Sequence, residues 1–146
     1  MAVRKLNVLV VDDDASTLAL VVKLLQSRLG DKFIVDGVDS SFRAQRWIET
    51  HCCDILLTDI EMPNTDGLEL MRIAKRQNAW TQVIFITAHS TWDRIAEAIE
   101  LGASNYVLKP VKHEELIEVL EQEYRRCVRW QTAVMGTLNR LTSVDG

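Results

Sequence analysis

Four short apolar runs in this 146-residue chain each give way to side chains that can do chemistry. Val11 is followed by Asp12, Asp13 and Asp14, Leu57 by Thr58 and Asp59, Ile86 by Thr87, and Leu108 by Lys109 and Pro110. Taken singly, an Asp after a strand is usually a helix cap or a turn former. The coincidence of all four runs is what points to a site. In an open α/β sheet, ligands bind outside the carboxyl ends of the strands, where the strand order reverses. If the first, third, fourth and fifth strands are neighbours, one crevice collects Asp12, Asp13, Asp59, a hydroxyl and an ammonium. Anions that close raise one another's pKa unless a cation joins them. Carboxylate oxygens select a hard divalent ion, and Mg²⁺ takes few carboxylates and keeps waters. A carboxylate beside Mg²⁺, Thr87 and Lys109 is equipped to attack phosphorus, because the cations offset charge on the moving phosphoryl oxygens. The chain has no Gly-x-x-x-x-Gly-Lys-Ser/Thr loop. The expected phosphoryl donor is therefore another small molecule or a protein.

The elements that must position these groups are legible as a βα alternation. Runs at 7–11, 33–35, 55–57, 83–86 and 106–108 are apolar, rich in β-branched residues, and do not alternate with polar ones. Such runs predict strands covered on both faces, hence a parallel sheet under helices. Between them lie helical periodicities: 15–29 with Leu18, Val22, Leu25 and Leu29; 40–50 with Ala44, Trp47 and Ile48; 67–76 with Leu68, Met71 and Ile73; and 91–101 with Ile95, Ala98 and Ile99. A fifth helix starts near Lys112. Gly30 and Gly102 read as left-handed caps. The pattern predicts a doubly wound (βα)5 domain in three layers.

Composition excludes several classes. Seventeen basic against twenty-one acidic residues leave a net charge of −4, with no electrostatic case for nucleic acid as a direct partner. No apolar run approaches the roughly 18–20 residues of a membrane span. The start, MAVRKLNVLVVDDD, does not read as a secretory signal. Cys52, Cys53 and Cys127 form neither a disulfide framework nor a zinc spacing, which fits a reducing cytoplasm.

Together, VLVVDDD, LLTDIEMPNTDG, FITAHS and YVLKP resemble the receiver domain of two-component response regulators, over roughly residues 5–121. The resemblance implies a flavodoxin-like sheet of order 2-1-3-4-5, with a receiver domain at 5–123 and a helical extension or linker at 124–146. It implies that Asp59 accepts a phosphoryl group from a sensor histidine kinase or a phosphotransfer protein. Asp13 would bind Mg²⁺ directly and Asp12 mostly through water, with Asp59 and the Glu61 main-chain carbonyl as further ligands. Thr87 would donate to the phosphoryl group and Lys109 would pair with it. Tyr106 would be the aromatic switch that follows Thr87 inward, and the Lys109–Pro110 peptide would be cis. Glu61 and His89 occupy the variable positions that tune phosphoryl lifetime, and they are expected to meet across the mouth of the site. Asn105 stands where the family often has Asp, and Asp14 where Glu is frequent, so Asp14 is not assigned to metal. The output face would comprise the fourth helix, fifth strand and fifth helix. The implied role is a signalling switch and not a metabolic enzyme. The alternatives are a haloacid dehalogenase-type phosphatase, disfavoured because Asp59-Ile60-Glu61 lacks that family's Asp-x-Asp, and a phosphorylation-independent interaction module.

Other residues read more plainly. His51, Cys52, Cys53 and Asp54 are expected in packing and helix-end roles rather than as a metal cluster, since alternation splits neighbours between faces. Trp47 is expected in the core. Trp80 is a lid or a surface aromatic, and Trp92 is a candidate for a partner interface. Ile117, Leu120, Tyr124, Cys127, Gln131, Val134, Leu138 and Leu141 step by three and four, a heptad seam with one polar position. Its expected use is a parallel two-stranded coiled coil, weakened by Gly136 at roughly 1 kcal/mol.

Overall fold

A computed structural model describes residues 4–63, 66–88 and 91–143. Five strands, β1 (Leu6–Val11), β2 (Phe33–Val38), β3 (Ile55–Thr58), β4 (Gln82–Thr87) and β5 (Asn105–Leu108), alternate with five helices, α1 (Ala15–Leu29), α2 (Ser41–Thr50), α3 (Gly67–Gln77), α4 (Trp92–Glu100) and α5 (His113–Ser143). All strand pairs are parallel, in the order β2-β1-β3-β4-β5. This is the expected doubly wound flavodoxin-like sheet, with its reversal between β1 and β3.

Period-two alternation sorts the strands into two cores. Leu6, Val8, Val10, Phe33, Val35, Ile55, Leu57, Ile84, Ile86 and Val107 pack under α1 and α5. Leu9, Val11, Leu56, Val83 and Phe85 pack under α2, α3 and α4. Side-chain caps fix where the helices begin. Asp14, Ser40, Asp66 and Thr91 each accept a backbone N–H from the first turn that follows.

Several local expectations change. Gly102 is left-handed at φ +95°, but Gly30 is right-handed at φ −65° and caps α1 without it. Ile99 is not core: it is 64% exposed, and Ala98 alone is fully buried on α4. Trp47 is only half-buried. Its indole donates to Asp36 at 3.0 Å and its ring stacks on His51 at 4.5 Å.

The fifth helix continues past the sheet to Ser143, in one unbroken run. The heptad seam divides along it. Ile117, Leu120, Tyr124 and Cys127 belong to the domain core, with Tyr124 edge-on to Phe33 at 5.7 Å. Beyond them the same face carries Gln131, Val134, Leu138 and Leu141 past the domain, and Leu138 and Leu141 are exposed. The overhang and the amino ends of the strands enclose a recess of about 580 Å³, walled by Trp80, Cys127, Trp130 and Met135.

Candidate functional site

At the reversal point, backbone hydrogen bonds stitch the ends of neighbouring strands together. Asp59 N–H donates to Val11 C=O at 3.3 Å, and Lys109 N–H donates to Thr87 C=O at 3.0 Å. Each bond fixes a candidate residue to the neighbouring strand's end, so Asp12, Asp59, Thr87 and Lys109 all stand at the carboxyl edge of the sheet. Asp12 and Asp59 are only 4% and 7% exposed, Thr87 is buried, and Asp13 faces solvent.

Lys109 Nζ lies 2.8 Å from Asp59 Oδ2 and 2.9 Å from Asp12 Oδ2, one ammonium shared by two buried carboxylates. The opposing oxygens are also held. Glu61 N–H donates to Asp59 Oδ1 at 3.0 Å, and Asp14 N–H donates to Asp12 Oδ1 at 2.9 Å. Burial pushes the Lys109 pKa down, but hydrogen bonds and charge from Asp59 and Asp12 outweigh it and hold the pKa above the ordinary lysine value. Lys109 therefore stays an ammonium throughout the neutral range. The Lys109–Pro110 peptide is cis, as the resemblance to receiver domains implied.

Carboxylate oxygens of Asp12, Asp13 and Asp59 all lie within 4.8 Å of one another. One lysine against three carboxylates leaves an anionic excess that a divalent cation would offset. A cluster of hard oxygens, one of them solvent-facing, fits Mg²⁺ with its retained waters. Asp14 stands apart: it caps α1 through Ser16 N–H and Thr17 Oγ1, and those two bonds lower its pKa. The Glu61 carboxylate is not part of that cluster and lies 3.3 Å from Arg94 Nε. His89, its expected partner, falls outside the described residues. Tyr106 is half-buried against the α2–α3–α4 core and pairs in register with Phe85, beside the strand that ends in Thr87.

One site residue carried no chemical signal in the sequence. A Cβ on Gly67 would lie 2.1 Å from the Asp59 carbonyl oxygen, and Gly67 N–H donates to Ile60 C=O at 2.8 Å. Only glycine lets α3 start against the backbone of Asp59. The Asp66-Gly67 pair reads as a turn, and that was the available clue.

Topology and crevice together define a class: a flavodoxin-like α/β domain with an anionic pocket at its switch point. The response regulator receiver domain family matches residues 8–121, and the chain belongs to that family. It is 37% identical over 122 residues to the transcriptional regulatory protein MalR of Bacillus subtilis (strain 168), covering 83% of this chain and 51% of that protein. It is 33% identical to protein-glutamate methylesterase/protein-glutamine glutaminase 3 of Geobacter sulfurreducens, covering 84% of this chain and 33% of that one. A solved receiver domain from Clostridium thermocellum superposes with TM-score 0.75 at 28% identity, covering 83% of this chain and 95% of that one. The chain thus spans about half or less of these curated relatives. It is a phosphoryl-accepting receiver domain, a signalling module of two-component systems. Among the described residues, no helix is long and apolar enough to cross a membrane.

Proposed function

We propose that Asp59 is the phosphoacceptor and that Asp12, Asp13, Asp59 and the Glu61 carbonyl hold Mg²⁺ during transfer. The observation that carries this reading is Lys109 Nζ at 2.8 Å from Asp59 Oδ2, inside a three-carboxylate cluster. An Asp59 carboxylate oxygen attacks the donor phosphorus and forms an acyl phosphate. The bond from phosphorus to the donor breaks, and its electron pair leaves with the donor, an imidazole in the case of a histidine kinase or phosphotransfer protein. Water later cleaves the acyl phosphate to inorganic phosphate and returns the carboxylate. Bound Mg²⁺ would supply charge neutralisation at the phosphoryl oxygens. Lys109 neutralises a further oxygen, and Thr87 donates its hydroxyl to another. Thr87 and Tyr106 then carry the change to α4, β5 and α5.

The decisive experiment is incubation with acetyl phosphate and Mg²⁺, read by intact mass. One phosphoryl group on the wild type and none on Asp59→Asn is the expected result. Turnover of a generic phosphomonoester would favour the phosphatase reading instead, and fluoroberyllate binding that survives in Asp59→Asn would overturn the assignment.

The output face in this reading is α4–β5–α5, where Trp92, Ile99 and Leu108 are 74%, 64% and 59% exposed. Self-association through that face or through the α5 overhang belongs to the same proposal. The receiver unit at 5–123 and the extension at 124–146 belong to the same reading, and Tyr124 and Cys127 at the start of the extension still pack on the domain core. The part of the seam beyond the core is then under two heptads, short for a self-sufficient coiled coil. Light scattering on the full chain and on a version ending at Val128 tests the overhang: a mass that halves on truncation supports it, and equal monomer masses remove it. A cytoplasmic location follows from the kinase partner.

A further inference from the structure

Two arginines hold α3 and α4 together, and they do so in opposite senses. Arg72, on α3, donates to Glu69 on its own helix at 3.1 Å and to Glu97 on α4 at 3.0 Å. Arg94, in the first turn of α4, reaches the other way. Its Nη2 donates to Asp66 Oδ2 at 3.1 Å, and its Nε lies 3.3 Å from Glu61 Oε1. The Arg94 side chain is only 29% exposed, and its buried Nε meets Glu61 as an ion pair without making a hydrogen bond. Neither partner is on its own helix. Asp66 is the N-cap of α3, and its other oxygen accepts Glu69 N–H at 2.9 Å. Glu61 lies two residues beyond Asp59, and its N–H is the donor to Asp59 Oδ1. One guanidinium therefore grips the chain just after the reactive carboxylate and again where α3 begins.

We infer that Arg94 is a positioning residue for phosphoryl uptake: it holds the Glu61 carboxylate away from the acidic pocket while the Glu61 main chain stays aimed at Asp59. The inference rests on the assignment of Asp59 as phosphoacceptor. The pocket already carries three carboxylates against Lys109. A fourth, on a side chain that is 57% exposed, would repel an incoming phosphoryl donor at the mouth once released from Arg94. A guanidinium suits the task because its planar fork engages two carboxylates at once, which an ammonium on a flexible stem does less well. Among the described residues, Arg94 makes no ion pair or hydrogen bond to Asp59, Asp12 or Asp13. Its influence passes through Glu61.

A double-mutant cycle on the full chain separates this from a general charge effect. The readout is the rate of phosphoryl uptake from acetyl phosphate with Mg²⁺. Arg94→Gln should slow uptake roughly fivefold, the scale of one uncompensated, partly screened charge a few ångströms from a dianion. In a Glu61→Gln background, the same loss of Arg94 should change nothing, and Arg94→Lys should recover part of the rate. Arg72→Gln, which removes the neighbouring α3–α4 pairs without touching Glu61, should leave uptake unchanged. A second readout needs neither metal nor donor. In Mg²⁺-free buffer, the Glu61 and Gly67 amides of Arg94→Gln should exchange with deuterium faster than in wild type, while core amides do not change. An unaltered uptake rate in Arg94→Gln, or an equal slowing with and without Glu61, overturns the inference. If the wild type takes up no phosphoryl group at all, the acceptor assignment has failed, and the amide exchange alone decides whether Arg94 holds Glu61.

Discussion

Strand β3 has an aspartate at each end, and the two are treated in opposite ways. At the amino end, Asp54 accepts both Arg4 Nη atoms at 2.8 Å and the Asn7 N–H at 2.7 Å. One carboxylate meets one fork-shaped cation, and a backbone donor adds a third bond. At the carboxyl end, Asp59 shares the single ammonium of Lys109 with Asp12, and the exposed Asp13 stands beside them. Both aspartates are 7% exposed, so burial does not distinguish them. The balance of partners does. A satisfied buried charge is architecture, whereas an anionic excess at the switch point of a sheet is poised for a cation and an electrophile.

The sharpest way to break the comparison is to neutralise each aspartate in turn. Asp59→Asn should abolish uptake, a loss of at least about a thousandfold, because an amide is no nucleophile here. Its melting temperature should hold or rise, since removing one of three clustered anions relieves repulsion. A large fall in stability with uptake retained would reverse the roles assigned to the two ends. Gly67→Ala attacks the same end without touching a charge. Its Cβ has nowhere to go but into the Asp59 carbonyl, so α3 or the acceptor must move. A cost of about 2–4 kcal/mol in urea unfolding is expected, with uptake impaired in whatever protein remains folded.

How far the two ends could be read from the sequence differs for a physical reason. The reactive end was legible because each of its groups follows directly on a buried strand. The apolar run and the polar residue are then contiguous, and topology brings them together. Even there, Gly67 and Arg94 went unread, because a close approach and a cross-helix ion pair depend on partners that the local pattern does not name. At the amino end, Arg4 and Asp54 are fifty residues apart and neither adjoins a chemical motif. The strand β2 was read short because Asp36-Gly37 resembles a turn. In the structure it pairs with β1 as far as Val38, and a Cβ on Gly37 would sit 2.6 Å from Val22 of the overlying α1. The Ile99 reading failed because an amphipathic period marks an apolar stripe and not what covers it. On α4 part of that stripe faces outward, on the face assigned to output.

The counterpart at the amino end is Asp54→Asn. It strips the fork from Arg4 and weakens the bond to Asn7 N–H. A loss of about 1–3 kcal/mol is expected, toward the lower figure because half of Arg4 is solvent-exposed and its pairing is screened. Uptake from acetyl phosphate should be unchanged. Guanidine titration and the mass assay on the same preparation check both halves, and a slowed uptake would show that the two ends of β3 are coupled.

A third carboxylate tests whether poor neutralisation alone makes a site. Glu123, on α5 beside Asn105 at the start of β5, is 0% exposed, and neither carboxylate oxygen makes a hydrogen bond of normal geometry among the described residues. Burial raises its pKa above the unfolded value of 4.5, and Arg126, 3.8 Å away, and the Asn105 amide offset this only in part. Between pH 4.5 and the raised value, the folded protein holds a proton that the unfolded chain has released. Stability therefore falls as pH climbs through that window. Glu123→Gln should remove the slope and add about 1 kcal/mol at neutral pH, with no change in phosphoryl uptake. Unfolding curves at acidic and neutral pH, wild type against variant, measure it directly. If the variant is instead less stable at neutral pH, Glu123 is ionised and paired in solution, and it belongs with Asp54. A flat difference across pH would place its folded and unfolded pKa values together. The expected result sets it apart from both ends of β3: a buried acid whose charged form its surroundings disfavour.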